Sequence, residues 1–337
     1  MSDGLGRATI GDVADRAGVS IATVSRVMND RYGVAIATAA RVRLAIDELG
    51  YESNLIARSM RSQRTDIIGV MVSDIEPFSS ELLKGIASEL RDSGLALIVY
   101  SGGMSGEDGW ERRYLSRLSD TLADGTILVT PTVVDVDSSH PIVAVDPHVG
   151  GSAIPTVASQ NYEGAIAATE HLIGLGHRRI GFLGGRPDLE SSRRREAGYL
   201  AALAAAGIPF EPELNQVGGY TEETAREPAE ALLRLPERPS AIFAANDLSA
   251  IQVLRTAGEL GIRVPDDLAL VGFDNIPESA LTDPPLTTVD QPIQALGHEA
   301  VRILIGLIND PSRPSEPAHV LLPTKLVVRR SCTPPGR

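Results

Sequence analysis

Residues 9 to 29 read TIGDVADRAGVSIATVSRVMN. Ile10, Val13, Ala14 and Ala17 fall at i, i+3, i+4 and i+7, one apolar face of a short helix. Gly18 ends it, since glycine takes the left-handed turn after a helix at least cost. Ser20 then stands where a cap is expected, before a second helix whose Val24, Val27 and Met28 point inward. Ile21, Ala22, Thr23, Ser25 and Arg26 are left on its outer face. That pattern predicts a helix-turn-helix, whose second helix presents its N-terminal residues to base edges in the major groove of DNA. Hydroxyls suit phosphates, Ile21 and Ala22 suit thymine methyls, and the fork of Arg26 suits guanine. A helical hairpin without a ligand is the plainer reading of the same pattern.

Residues 34 to 50 predict a third helix with Val42, Ala45, Ile46 and Leu49 inward and Gly50 as its stop. From Ile67 onward, apolar runs alternate with helical stretches: IIGVMV, LALIVY, GTILVT, PIVAVD, RIGFLGG, SAIFAAND and LALVGFD. Such alternation predicts βαβ units and parallel sheets. Ligands of these folds gather beyond the carboxyl ends of the strands, so the residues following each run are the candidates. They are Glu76, Phe78, Ser79, Asp146, Arg195, Tyr220, Asn246, Asp247, Asp274 and Gln291. Carboxylates, amides and an Arg beside aromatic rings suit a sugar, whose hydroxyl pairs take bidentate partners while an aromatic face takes its C–H side. Asn246, Asp247 and Asp274 also have a plainer reading as helix caps, and Asp247 is assigned to that role. Arg195 sits in a run with Arg193 and Arg194 that would ordinarily be a solvated face. Trp110 follows a turn and is read as surface packing.

Length and charge fit a DNA-tethered sensor. The 337 residues leave room for three domains, each able to bury its own apolar centre. The formal net charge is −13, yet residues 1 to 64 hold nine Arg against seven acids. DNA affinity is therefore expected in the headpiece alone, with the acidic core repelled by phosphates over a screening length of about 8 Å. One cysteine, Cys332, rules out an internal disulfide and is read as inert. No basic-then-apolar leader and no run of 18 apolar residues occurs, which predicts a cytoplasmic protein with no membrane partner. An enzyme is disfavoured. His171 and His177 are six apart and share no metal-binding helix face, and no P-loop, G-x-S-x-G elbow or strand-borne G-x-G-x-x-G is present. Paired acids such as Asp146 and Asp274 are the one constellation suited to a glycosidic bond. No metal and no cofactor is expected.

The opening segment resembles the headpiece of the lactose repressor (LacI/GalR) family, T-I-x-D-V-A-x-x-A-G-V-S-x-x-T-V-S-R-V-x-N, at every fixed position. The likeness continues through LGY (Leu49 to Tyr51), SNLIARSM (Ser53 to Met60), EHLIGLGHRRIGFLGG (Glu170 to Gly185), AANDLSA (Ala244 to Ala250), VGFDNIPES (Val271 to Ser279) and PPLTTVDQP (Pro284 to Pro292). It covers nearly the whole chain. The resemblance implies an all-α helix-turn-helix headpiece and an α/β core of two Rossmann-like lobes, as in periplasmic sugar-binding proteins. Its implied divisions are a headpiece over 1–52 and a hinge helix and linker over 53–65. One lobe takes 66–160 and 292–322, the other 161–291 and 323–331, and 332–337 form a tail.

The same resemblance implies DNA contacts at Thr9, Ser20, Ile21, Ala22, Thr23, Ser25, Arg26, Asn29, Asn54, Ala57 and Met60. Met60 stands where the family wedges a Leu into the minor groove, and Ala57 would pack on its symmetry mate. Effector contacts fall on Glu76, Phe78, Ser79, Asp146, Arg195, Tyr220, Asn246, Asp274 and Gln291. Five departures from the family stand out. Ala35 replaces a capping Ser, at a cost on the order of 1 kcal/mol, and Ala39 replaces a phosphate-binding Arg. Glu76 stands where Asn is frequent, Ser79 replaces a second aromatic, and Pro147 replaces an Arg. The last three predict a wider, more acidic site, suited to a larger glycoside over a phosphorylated sugar. Together these readings predict a homodimeric repressor that grips a near-palindromic operator and is switched by a sugar or short oligosaccharide. A corepressor such as a purine or phosphometabolite is the alternative.

Overall fold

The computed structural model of the chain describes residues 8–28, 32–49, 51, 64–102, 111, 114–115, 122–132, 140–148, 153–310 and 318–333. The chain divides into two compact units, Met1–Thr65 and Asp66–Arg337.

The first unit is helical: α1 (Ile10–Ala17), α2 (Ile21–Met28) and α3 (Ile36–Leu49). Thr9 caps α1 in a reciprocal box with Asp12, which satisfies two otherwise unpaired amides. Gly18 closes α1 in the left-handed conformation, at φ 63°. Ser20 caps α2 by accepting from the Thr23 amide at 3.2 Å. The core is small, built from Val13, Ala14, Ala17, Val24, Val27, Val42 and Ala45. Helix α3 starts two residues later than its periodicity predicted. Ala35 gives it only a backbone carbonyl, to the amides of Thr38 and Ala39.

In the second unit the apolar runs become strands: β1 (Ile67–Val72), β2 (Ala96–Ser101), β3 (Gly125–Val129), β4 (Ile142–Val145), β6 (Ile180–Gly184), β8 (Ala241–Ala244) and β9 (Ala269–Asp274). Five further strands lay outside those runs: β5 (Thr156–Ser159), β7 (Asn215–Val217), β10 (Thr287–Asp290), β11 (His319–Leu322) and β12 (Lys325–Val327). They assemble two six-stranded sheets, ordered β11-β5-β4-β3-β1-β2 and β12-β10-β9-β8-β6-β7. All pairings are parallel except β10 with β12. The chain passes from one sheet to the other after β5, after β10 and after β11.

Helices cover the sheets. Against the first, α4 (Pro77–Leu90) and α9 (Ile293–Asn309) pack through Leu82, Ile86, Leu296, Ala300 and Leu304. Their approach depends on Gly85 and Gly297, where a Cβ would run into the backbone of Gln294 and of Leu82. One face of the second sheet carries α5 (Asn161–Gly174) and α6 (Glu190–Ala205), the other α7 (Glu222–Leu233) and α8 (Asp247–Glu259). Each fully buried Phe or Leu in these layers contributes about 1.5–3 kcal/mol. Cys332 and Thr333, assigned to the tail by sequence, are seated on the second sheet. The Cys332 thiol bonds the Leu270 carbonyl at 3.0 Å, and the Thr333 carbonyl meets His177 Nε2 at 2.8 Å. No helix among the described residues is long and apolar enough to cross a membrane.

Candidate functional site

In the helical unit, Ser20, Ile21, Ala22 and Arg26 are exposed along one side of α2, with Ile21 50% exposed, while Thr23 and Ser25 are half-buried. Ser20 and Thr23 share a hydroxyl contact at 2.9 Å. Thr9 is exposed and engaged as the cap of α1. Beside Arg26, an indentation of about 350 Å³ is lined by Tyr32, Ile36, Ala39 and Arg43. Tyr32 and Ile36 are almost wholly exposed, and the sequence reading did not single them out. Ala39 packs partly onto the headpiece core. Asn29, Asn54, Ala57 and Met60 lie outside the described residues, as does Trp110.

In the second unit the candidates converge on one buried cationic centre. Arg195 is 3% exposed on α6, while Arg193 and Arg194 in the same run bond Glu190 at the surface. Helical register sends every third or fourth residue to the same side, so one member of the run is internal. Arg195 donates Nε to Asn161 Oδ1 at 2.8 Å and Nη1 to the Ala245 carbonyl and to Asp274 Oδ1 at 3.2 Å. Its guanidinium lies 3.8 Å from the Phe273 ring centroid and 5.7 Å from that of Tyr220, both within cation–π range. Asp274 also accepts from Gln291 Nε2 at 2.7 Å, and Gln291 Oε1 accepts from Ser159 at 2.6 Å. Asp146 receives Asn161 Nδ2 at 3.5 Å, a weak contact.

Backbone strain marks the same place. Asp146, Tyr220 and Asp274 have φ of 49°, 77° and 108°. A non-glycine residue held there costs about 1–3 kcal/mol and persists only where its surroundings enforce it. For Tyr220 the enforcement is visible. Its ring rests on Gly185, where any side chain would collide with it, and its carbonyl accepts from Asn246 Nδ2 at 2.9 Å. The Tyr220 hydroxyl is buried with no hydrogen bond of ordinary geometry, and the Ser191 side chain is the polar neighbour close enough to favour its ionised form. Burial pushes its phenol upward, so it stays protonated and able to donate.

Electrostatics follow from burial. Asp274 is pushed up to about 7, chiefly by burial; Arg195 opposes this, while Glu76 and Asp146 add to it. Burial likewise raises Asp146, against the pull of Arg195 and Ser191. Glu76 caps α4: Oε2 takes the Phe78 amide, and Oε1 takes the Ser79 amide, each at 2.7 Å. The buried Ser79 hydroxyl donates to Oε1 at 2.6 Å. Phe78 packs on the cluster that holds Ile251 and Ile276, so its ring joins apolar residues that flank both sheets. Among the described residues, no group of His, Cys, Asp and Glu is arranged to hold a metal.

One assignment is corrected. Asp247 does not cap α8; Asn246 does, through the Ser249 amide at 3.0 Å. Asp247 is the first helical residue, wholly buried, and its carboxyl accepts from the Ile276 amide at 2.9 Å and Thr288 Oγ1 at 2.6 Å. It thereby anchors the turn that follows Asp274. Sequence reasoning also missed Asn161, Phe273 and Ser159. Asn161 and Ser159 flank the end of β5, a strand too polar to read as an apolar run; Phe273 was taken as strand interior.

Comparison with known proteins agrees with both units. Residues 9–54 match the family described as Bacterial regulatory proteins, lacI family. Residues 169–332 match a Periplasmic binding protein-like domain. The chain is 34% identical over 333 residues to the HTH-type transcriptional repressor PurR of Photobacterium profundum, covering 96% of this chain and 98% of that one. Among solved structures it is similar to a transcriptional regulator CelR–cellobiose complex, with TM-score 0.72 and 33% identity over 96% of this chain and 100% of that one. It is also similar to the Lac repressor dimer bound to operator and the anti-inducer ONPF, with TM-score 0.86 and 28% identity over 97% and 100% of the two chains.

Proposed function

The chain belongs to the lacI family of bacterial regulatory proteins and is a transcriptional repressor of that family; from this premise we propose that its operator affinity is set by a small carbohydrate. The effector contacts are Glu76, Phe78, Ser79, Asp146, Arg195, Tyr220, Asn246, Asp274 and Gln291. The observation that carries this reading is the buried Arg195, ringed by strained Asp146, Tyr220 and Asp274 at the ends of strands from both sheets. Carboxylates, an amide and a buried phenol are the groups a sugar uses. The similar CelR structure holds cellobiose, which supports a glycoside.

The proposed unit is a homodimer on a near-palindromic operator, as in the similar Lac repressor complex, working in the cytoplasm where its DNA is. Residues 1–52 read the operator through Thr9, Ser20, Ile21, Ala22, Thr23, Ser25, Arg26 and Asn29; residues 53–65, with Asn54, Ala57 and Met60, couple it to the core. In this reading one lobe of the core takes 66–160 and 292–322 and the other 161–291 and 323–331. A ligand that favours one arrangement of the lobes shifts DNA affinity only by its differential binding, typically about 1–3 kcal/mol. Binding without turnover accounts for every group in the site.

A second reading keeps the fold and makes the effector a corepressor such as a purine, which the flat ring of Tyr220 beside Arg195 favours. A thermal-shift panel of sugars, oligosaccharides and nucleobases on the full chain decides between them, because a tight ligand raises the melting temperature by mass action. Stabilisation by a sugar supports the first reading. Stabilisation by nucleobases alone replaces it with the second, and a sugar consumed during incubation would make the protein an enzyme.

A further inference from the structure

We propose that Glu76 is a specificity residue that excludes anionic effectors by occupying the N-terminus of α4 with its own carboxylate. The inference rests on the carbohydrate reading of the site and deepens it. A helix N-terminus attracts anions because its first amides lack partners and the dipole presents partial positive charge. In α4 the first amides inside the helix are already engaged. Pro77 has no N–H, the Phe78 and Ser79 amides are bonded by Glu76 Oε2 and Oε1, and the Ser80 amide donates to the Glu76 carbonyl at 2.8 Å. The Ser79 hydroxyl adds a third donor to the same carboxylate.

The rest of the site gives a phosphate no alternative. Arg195 is already bonded to Asn161, the Ala245 carbonyl and Asp274, so its guanidinium is committed inside the protein. Glu76 bears electrostatically on Asp274, and Asp146 does the same. Glu76 also borders an indentation of about 360 Å³ shared with Pro77, Glu81, Lys84, Pro277 and Glu278, and the lysine there is paired with Glu81. An anion approaching from that side meets carboxylates, whereas a neutral polyol can donate hydroxyls to their remaining lone pairs.

The test compares the full chain with Glu76→Gln and Glu76→Ser; the second keeps an N-cap oxygen, so folding is preserved if the first is destabilised. Binding of inorganic phosphate and glucose 6-phosphate is measured beside glucose and cellobiose. The expected result is that both phosphate probes bind the variants on the order of tenfold or more tightly than they bind the wild type, because a like charge bordering the site has been removed. Equal phosphate binding by all three proteins, including none by any, overturns the proposal. If no neutral sugar binds any of the three, it is the carbohydrate reading that fails, and the phosphate arm still decides the role of Glu76.

Discussion

The side-chain amide of Gln291 donates to Asp274 at 2.7 Å while its oxygen accepts from Ser159 at 2.6 Å, so one residue joins the ends of β9 and β5. Those strands belong to different sheets. A side chain with both ends engaged across two sheets transmits displacement in either direction, because losing either bond leaves a buried polar group unsatisfied. The site and the junction between the sheets therefore share a hydrogen-bonded chain running Arg195, Asp274, Gln291, Ser159.

Asp274 makes stability depend on pH. Its carboxyl titrates near 3.8 when unfolded and about 7 when folded. Between these values the native state keeps a proton that the unfolded chain has released, so stability falls as pH rises through that window and is level above it. Asp274→Asn is expected to flatten this slope when melting temperature is followed from pH about 4 to about 8. Asp146 and Asp247, raised by burial in the same direction, leave a residual slope. Parallel profiles for variant and wild type would show that Asp274 is not the titrating group.

Arg195→Ala removes the cation that holds Asp274, Asn161 and the Ala245 carbonyl together. Breaking one side of a buried pair costs about 3–5 kcal/mol, so urea denaturation of the core should shift accordingly. Operator binding is expected to persist while the effector response disappears. A normal response to effector in this variant would mean the site has been misplaced.

Ala35 precedes α3 and supplies no side-chain oxygen to its first amides. Ala35→Ser should stabilise the helical unit by about 1 kcal/mol, read as slower amide exchange over residues 36–49 in the full chain. Unchanged exchange would show that those amides are already satisfied.

Arg26 is exposed on α2, with no carboxylate paired to it among the described residues. Arg26→Ala is expected to reduce discrimination between operator and unrelated DNA by about 1–3 kcal/mol while leaving weak, salt-sensitive background binding. Loss of both together would assign Arg26 to phosphate instead of base.

The parts legible in the sequence are those with local causes. Helices α1 and α2 follow from a 3.6-residue apolar period bounded by Thr9, Gly18 and Ser20, all within one segment. Buried strands such as β4 and β9 are continuous apolar runs. Strand β10 escaped because Thr287 and Thr288 are wholly buried yet polar, tolerated there because Thr288 bonds Asp247 and Thr287 takes the Arg329 amide. Edge strands β7 and β12, three residues each, are too short to show a period. In the site, Arg195 was separable from Arg193 and Arg194 only through the family register. Asn246 and Asp247 are adjacent, and composition cannot say which caps α8; the Ile276 amide that claims Asp247 is 29 residues away. Positive φ at Tyr220 has no signature in residue type, and at Asp146 and Asp274 only the weak one that aspartate tolerates this region better than most residues.

The central claim is that a DNA reader and a carbohydrate site are coupled in one chain. Fluorescence anisotropy of the full-length protein on near-palindromic duplexes from upstream of its own gene, with and without a sugar found by thermal shift, tests it most directly. The account predicts saturable binding to at least one duplex and a change in affinity of roughly 5- to 150-fold when the sugar is added. Binding to none of these duplexes in either condition, or an affinity indifferent to every ligand that stabilises the core, would contradict it.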